Sequence, residues 1–359
     1  TRTHPFNIQK RGNWYAVKKY IYLPSRTIEN VMKLTEYKLY LQGQDIPDDV
    51  IERRIAIIED FTKFLTGPGL RETADTAGKD VVEKFARKLI AEGRNTLENF
   101  SFLRDYTGWL GYRKLYVALI EVIDCCNALE VLADEIEERH GREVRDRIFS
   151  EALPPLGADE KERCTYTRTI MERMASRITP EQARDAWFQV QHGIPADVWR
   201  KSDQADKEKY RQCKDIDEFL DLKRRERNAL LTQLRDENKL WYTIEINDEV
   251  LELVKGNPEM EGGRREGDRV YITKIPYNAI RYLHESDPKM KRYYACHCPL
   301  AREAILRDQP ISPDICSCSL GHASHYLAGL DQELKGKVLE SAVKGDTRCR
   351  FVFHLSNKS

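Results

Sequence analysis

The predicted fold depends on one stretch, Leu240–Ile246, which reads LWYTIEI. Aromatic and β-branched residues alternate there with others in a period of two, which is typical of a β-strand. Arg269–Thr273, which reads RVYIT, has the same character and follows a glycine-containing turn. We therefore predict that the chain changes from helices to strands near Leu240.

The remaining strands are expected close to the C-terminus. Residues 292–297 are interpreted as a third strand, and Val338–Val343 and Arg348–Leu355 as a hairpin closed at Gly345-Asp346. Helices are expected between them, over Pro299–Leu306 and Ser319–Leu330. The C-terminal part is therefore predicted to be an antiparallel sheet with packed helices.

Residues upstream of Leu240 have helical periodicity. Runs are predicted from Thr27 to Leu41, from Pro47 to a turn at Gly67-Pro68-Gly69, over Lys79–Ala91, from near Asn95, and from Tyr112 to His140. Another helix is predicted to begin at Thr179-Pro180-Glu181-Gln182, where Thr caps, Pro takes the first position and Gln lies three residues after the cap. The fold class is thus α+β, with an N-terminal helical bundle followed by a smaller domain. We expect a helical domain over 1–152, a helical connecting region over 160–239 and a cysteine-rich α+β domain over 240–359.

Composition limits the function classes. The 359 residues include 59 basic and 59 acidic side chains, so the formal net charge is zero and a nucleic-acid partner is not expected. No apolar run is long enough for a membrane span. A signal-peptide core is not apparent, so the protein is expected to be cytoplasmic. The sequence leaves a homo-oligomer open.

Cysteine provides the strongest functional signal. Five of the nine cysteines fall within 54 residues near the C-terminus: Cys296, Cys298, Cys316, Cys318 and Cys349. Thiolates are the ligands that zinc, Cu(I) and iron–sulfur clusters prefer. We therefore predict a metal site made by these five residues, with Glu340 as a carboxylate candidate and zinc as the favoured metal. Another thiophilic metal or an iron–sulfur cluster is the alternative.

The cysteine pattern is also compatible with roles that involve no metal. The thiols can be small buried residues in a reducing cytoplasm, form disulfides, or include a reactive thiol. A C-x-C pair is less diagnostic of a metal than a C-x-x-C knuckle. Cys318 lies near a predicted helix start, which favours the thiolate and makes it a candidate nucleophile, with His322 or His325 as base. Cys125-Cys126, Cys164 and Cys213 fall in helical patterns and are interpreted as structural.

Three C-terminal motifs carry a family resemblance. They are Lys291–Pro299 (KRYYACHCP), Cys316–Gly321 (CSCSLG) and Gly345–Phe351 (GDTRCRF), with Thr273–Tyr277 upstream. From about residue 160 to residue 355 the chain resembles a bacterial family of unknown function that has these motifs.

More distantly, the last 70 or so residues are similar to two other families. One is the L-2-amino-thiazoline-4-carboxylate hydrolases, and the other is the 4-vinyl reductase family of small-molecule-binding domains. In the fold of the second family, cysteines and a glutamate hold a structural zinc beside the ligand pocket. Glu340 and Cys349 match that motif, whereas its middle cysteine is Val343 here, so Cys298, Cys316 or Cys318 would have to replace it.

These observations give two main functional hypotheses. The first is a small-molecule-binding protein with a cysteine-ligated zinc that links the hairpin to the helix at Cys316. The alternative is a hydrolase of a small C–N or C–S heterocycle that uses a cysteine nucleophile or a metal-activated water. A regulatory or scaffold protein, with a partner-facing N-terminal half, is a third hypothesis.

Overall fold

The computed structural model describes residues 33–66, 77–260, 262–330 and 334–355. The predicted cap Thr27 and the predicted turn Gly67-Pro68-Gly69 lie outside these ranges. Within them the protein is predominantly helical, with two small antiparallel sheets after residue 239, so the α+β prediction is confirmed. None of the described helices has the length and apolar character that a membrane span requires.

The first hydrophobic core belongs to the N-terminal helices, as the sequence predicts. These helices are α1 (Leu34–Gln42), α2 (Asp48–Leu65), α3 (Lys79–Ala91), α4 (Leu97–Leu110) and α5 (Arg113–Ile123). Their apolar faces meet around the fully buried rings of Phe61, Phe85 and Phe100. All of the buried residues of this core lie between Tyr37 and Ile123. The core is therefore formed by one continuous part of the chain.

The predicted single helix from Tyr112 to His140 is wrong, because the chain breaks in its middle. Helix α5 ends at Ile123 and α6 (Ala128–His140) begins after a turn of four residues. Cys125 has a left-handed backbone there, with φ of 56°. Arg163 donates to the carbonyl oxygens of Glu121 and Asp124 and so satisfies the end of α5. Cys125 and Cys126 therefore lie in a turn rather than in a helix.

The middle of the chain is helical, as predicted. It contains α7 (Arg142–Ile148), α8 (Glu160–Ala175), α9 (Pro180–Val190), α10 (Ala196–Arg211) and α11 (Ile216–Asp236). The capping box at the start of α9 is confirmed, since Thr179 and Gln182 each bond the other's backbone N–H. A 3₁₀ turn, Gln191–Gly193, ends this helix.

The C-terminal part alternates short strands and helices. Its elements are β1 (Leu240–Trp241), β2 (Ile244–Glu245), α12 (Asp248–Lys255), β3 (Arg264–Glu266), β4 (Arg269–Thr273), α13 (Ala279–His284), α14 (Pro288–Ala295), α15 (Arg302–Leu306), α16 (Ser317–Ser324), β5 (Lys335–Glu340) and β6 (Arg350–His354). Four strands form an antiparallel sheet in the order β3-β4-β6-β5. The predicted hairpin is confirmed as β5 and β6, with Lys335 opposite His354. Its first strand is Lys335–Glu340 rather than Val338–Val343, because the chain leaves the sheet and turns after Glu340.

The predictions of a strand over Leu240–Ile246 and of a strand over residues 292–297 also need correction. Leu240–Ile246 is two strands of two residues each, because Tyr242 turns the chain with φ of 58°. Residues 292–297 are the end of helix α14 and the loop after it. Asp287 caps that helix by accepting from the backbone N–H of Met290, and Pro288 occupies its first position, two local signals that favour a helix.

The other cores join distant parts of the chain. The second combines α6, α8 and α9 with Leu300, Ile315 and Cys318, and the third combines Phe219 of α11 with the four-stranded sheet. Both cores therefore take side chains from each side of residue 240. The site residues described next lie where the second core meets the C-terminal loops.

Candidate functional site

The five predicted cysteines come from separate segments and meet in one region. We call Cys296, Cys298, Cys316, Cys318 and Cys349 the cysteine group: they lie at the end of α14, in the loop after it, at the end of the 3₁₀ turn Pro313–Cys316, in the first turn of α16 and just before β6. All five are free thiols, buried or partly buried. Cys125, from the break between α5 and α6, packs into the same core as Cys298, Cys316 and Cys318.

Burial dominates the acid–base chemistry of these thiols. It raises the pKa of Cys296 and of Cys318 to about 12. Burial first, and then charge repulsion from neighbouring thiols of the group, raises the pKa of Cys298 and Cys316 well above the usual range. With no metal bound, the group is therefore protonated at neutral pH.

One sulfur of the group accepts a hydrogen bond that stabilises a thiolate: the backbone N–H of His192 donates to Cys318 at 3.1 Å. Nearby polar groups also oppose the effect of burial on the other thiols. The backbone N–H groups of Cys298, Leu300 and Ala342 act to lower the pKa of Cys296, Cys298 and Cys349, and the side chain of Ser341 acts to lower that of Cys316. Such donors orient and tune sulfur ligands in metal–thiolate sites.

Glu340 has cationic partners in this structure. Arg348 donates to both of its carboxylate oxygens at 2.7 Å, and hydrogen bonding by Arg348 keeps the Glu340 pKa below its usual value. Metal ligation by Glu340 would therefore require release from Arg348.

The spacing of the sulfurs tests their fit to a single zinc ion. Four thiolates at the usual zinc–sulfur distance stand about 3.8 Å apart around a tetrahedron. Among the residues that the structure describes, no three ligand atoms of the cysteine group lie within 4.8 Å of one another. The donor type thus fits a soft metal, but the spacing does not form a ready tetrahedron for one zinc.

The candidate bases His322 and His325 have different environments. His325 is fully engaged, with Nδ1 3.0 Å from Asp203, Nε2 2.8 Å from Gln191 and its ring stacked on Trp199. His322 has a buried Nδ1 without a hydrogen-bond partner among the described residues. Burial, then the charge of Lys274, holds the pKa of His322 well below its usual range, so its ring is neutral. Of these two histidines, His322 is the one with a nitrogen that has no hydrogen-bond partner in the described chain, so this nitrogen can accept a ligand or a proton.

Lys274 is a residue that the sequence analysis missed. It follows strand β4 directly, is only 6% exposed, and its ammonium has no ion pair or hydrogen bond within the described ranges. After burial, its charge is the next cause of the low pKa of His192, of His322 and of His297, whose pKa falls to about 3. A buried cation without a carboxylate partner is costly, and this one lies among thiols and imidazoles.

Two glycines allow close contact between backbones near the site, one between α16 and α9 and one between the Gln191–Gly193 turn and the start of α6. A Cβ on Gly321 of α16 would lie 1.9 Å from the carbonyl oxygen of Phe188 in α9. A Cβ on Gly193, where φ is 69°, would lie 2.6 Å from the backbone nitrogen of Ala128. These contacts press α16 against α9, and the Gln191–Gly193 turn against the helix break.

This packing brings His192 beside Cys125, Cys318 and His322. The sequence analysis did not single out His192 or Gly193, and it placed Cys125 in a helix. The one local signal was the glycine at 193, since a glycine after a helix permits both a left-handed turn and a close backbone approach. No family model, curated protein or solved structure matched the chain in comparisons with known proteins.

Proposed function

We propose that this is a small-molecule-binding protein whose cysteine group holds a thiophilic metal. The observation that carries the proposal is the meeting of five thiols from three chain segments, around 296–298, 316–318 and 349, with the backbone N–H of His192 donated to the sulfur of Cys318. Packing alone accounts for buried cysteines, but it does not account for the backbone N–H that His192 directs at the sulfur of Cys318. A metal would supply the positive charge that converts these thiols to thiolates.

The spacing bears on which metal group is bound. In an iron–sulfur cluster the cysteines bind different iron atoms, so their sulfurs stand further apart than around one zinc ion. Because no three sulfurs of the group lie within 4.8 Å of one another in the described chain, the proposal includes an iron–sulfur cluster beside the single zinc that the sequence favours. Zinc at this group stays a prediction and would need the sulfurs to move together.

The proposed ligand is a small anion that lies near Lys274. A buried ammonium without an acidic partner within the described ranges favours a negatively charged guest, and His322 adds a neutral imidazole with a free Nδ1. Trp199 supplies an aromatic wall, with its ring 5.1 Å from that of His322. Together they offer charge, hydrogen bonding and apolar contact to one small molecule.

Replacing two cysteines of the group tests the metal. Cys316→Ser and Cys349→Ser should each lower the iron or zinc content per chain and reduce thermal stability, because metal binding and folding are linked. Elemental analysis of protein purified without chelator measures the first effect, and thermal unfolding measures the second. Cys213→Ser is the matched control, since that half-buried thiol bonds the carbonyl oxygen of Lys209 away from the group. Wild-type protein with only trace metal would contradict the proposal.

A hydrolase is the second candidate, and the unpartnered Nδ1 of His322 is the observation that favours it. A cysteine nucleophile would have to be a thiolate, whereas burial raises the pKa of Cys318 to about 12. We therefore expect slow iodoacetamide labelling of Cys318 in metal-free protein at neutral pH, read by mass spectrometry of the digested chain. A single fast-reacting Cys318 would instead support the thiol enzyme.

A further inference from the structure

A separate set of metal-ligand atoms lies at the break between α5 and α6. The Sγ of Cys125 is 3.5 Å from Nδ1 of His192 and 3.6 Å from Oδ1 of Asp124. These three are the one group of His, Cys, Asp or Glu ligand atoms in the described chain that all lie within 4.8 Å of one another.

The distances match the edges of a zinc tetrahedron. With zinc–sulfur at about 2.3 Å and zinc–nitrogen or zinc–oxygen at about 2.0–2.2 Å, the sulfur-to-nitrogen and sulfur-to-oxygen edges are both about 3.6 Å. The two distances from Cys125 agree with these edges to within about 0.1 Å. The three atoms are therefore already placed for one ion, unlike the sulfurs of the cysteine group.

The histidine is oriented as a ligand. Its Nε2 lies 3.4 Å from the hydroxyl of Ser319, which can accept the ring N–H and so leave the lone pair on Nδ1, the atom that faces Cys125. A second hydrogen bond that fixes the tautomer is the usual arrangement for a metal-binding histidine. The backbone N–H of His192 also donates to Cys318, which holds the turn in place.

No cation forms an ion pair with the carboxylate of Asp124 within the described ranges, where its hydrogen-bonded side-chain partner is the thiol of Cys125. Burial raises the pKa of Asp124, and the charges of Arg163, Arg302 and Lys274 oppose that rise without contacting the carboxylate. A largely buried carboxylate that no cation contacts is stabilised when it binds a metal.

The backbone on both sides of the group is strained. Cys125, Gln191 and His192 all have left-handed conformations, with φ of 56°, 46° and 64°. Such conformations are unfavourable for residues with a Cβ and persist where the surrounding structure enforces them, often at functional sites. Two segments that are more than 60 residues apart in sequence are thus both strained where they meet.

We propose that Asp124, Cys125 and His192 bind a single zinc ion through Oδ1, Sγ and Nδ1, in a site distinct from the cysteine group. Three protein ligands leave one tetrahedral position open, which is the pattern of catalytic rather than structural zinc. The ring of His322 lies 4.7 Å from that of His192, so a neutral imidazole adjoins the site. The inference goes beyond the proposed function, which concerns other ligands.

Zinc stoichiometry tests this site directly. Chelator-treated full-length protein is titrated with zinc, and the bound equivalents per chain are measured after dialysis. Cys125→Ser and His192→Ala should each lose one equivalent relative to wild type. Cys126→Ser is the matched control, because its thiol lies in the same turn but faces Asn127, 3.5 Å away, and it should keep the wild-type value. Equal zinc binding by Cys125→Ser and Cys126→Ser would overturn the site.

X-ray absorption keeps the inference testable if those variants fail to fold. The Cys316→Ser/Cys349→Ser double variant removes two thiols of the cysteine group and leaves Asp124, Cys125 and His192 intact. Zinc bound to it should have one sulfur neighbour and otherwise nitrogen or oxygen neighbours. A shell made mainly of sulfur, or no bound zinc, would contradict the site. If the cysteine-group variants lose metal and Cys125→Ser and His192→Ala do not, the proposed function is supported and the second site is disproved.

Discussion

Gly321→Ala is expected to destabilise the protein by about 3 kcal/mol or more and to lower its metal content. The added Cβ would lie 1.9 Å from the carbonyl oxygen of Phe188, well inside the contact distance of two atoms. The neighbour is backbone in the last turn of α9, so it cannot rotate away as a side chain can. Helix α16 would have to move, and with it Cys318 and Ser319, which contact His192.

Urea unfolding and elemental analysis measure the two effects of Gly321→Ala. Gly43→Ala is the control, since that glycine also has a right-handed backbone and its added Cβ would come no nearer than 3.4 Å to another atom. We expect the control to change stability by less than about 1 kcal/mol. If both variants unfold at the same urea concentration, the contact between α16 and α9 is not as tight as the structure describes.

Arg302→Met is expected to cost about 3 kcal/mol, because it leaves the buried carboxylate of Glu160 with only the partly exposed Lys79 as a cation. Arg302 of α15 and Glu160 of α8 are both almost fully buried and form an ion pair. Lys79 of α3 lies 3.3 Å from the other oxygen of Glu160, and Glu121 of α5 lies 3.3 Å from Arg302. One ionic network thus connects the N-terminal bundle to the C-terminal part.

A double variant separates the loss of the pair from the burial of an orphan charge. Glu160→Gln combined with Arg302→Met removes both charges and should recover part of the stability that Arg302→Met loses. Arg184→Met is the control: its pair with Asp314 is half exposed at 3.1 Å and should contribute less than about 1 kcal/mol. Urea unfolding of all four proteins measures the differences. Equal losses in Arg302→Met and Arg184→Met would disprove the network's importance.

Helices and strands that depend on local signals, such as caps and apolar periodicity, could be predicted from the sequence. Helix α3 has the predicted bounds, and α9 begins at the predicted capping box, because apolar periodicity and caps act over a few residues. The β5–β6 hairpin was likewise found from its alternating pattern and its turn. The stretch Asp124–Asn127 contains neither glycine nor proline, so nothing local marked the break between α5 and α6.

The candidate site was predictable in its chemistry but not in its arrangement. The cysteine group was identified by residue type and clustering alone. Lys274, His192 and Cys125 were missed because their significance comes from tertiary contacts across more than 60 residues. Gly193 and Gly321 determine that arrangement, and a sequence does not show which backbone a glycine will face.

The position of the first core along the chain also has a consequence for biosynthesis. Its fully buried residues end at Ile123, so the N-terminal bundle can fold while the ribosome is still making the remainder. The turn with Cys125 emerges next, whereas His192, the cysteine group and finally Cys349 follow much later. A metal held by the cysteine group, as we propose, could be bound only after the chain through Cys349 has been synthesised, and the thiols of the nascent protein would be exposed during that interval.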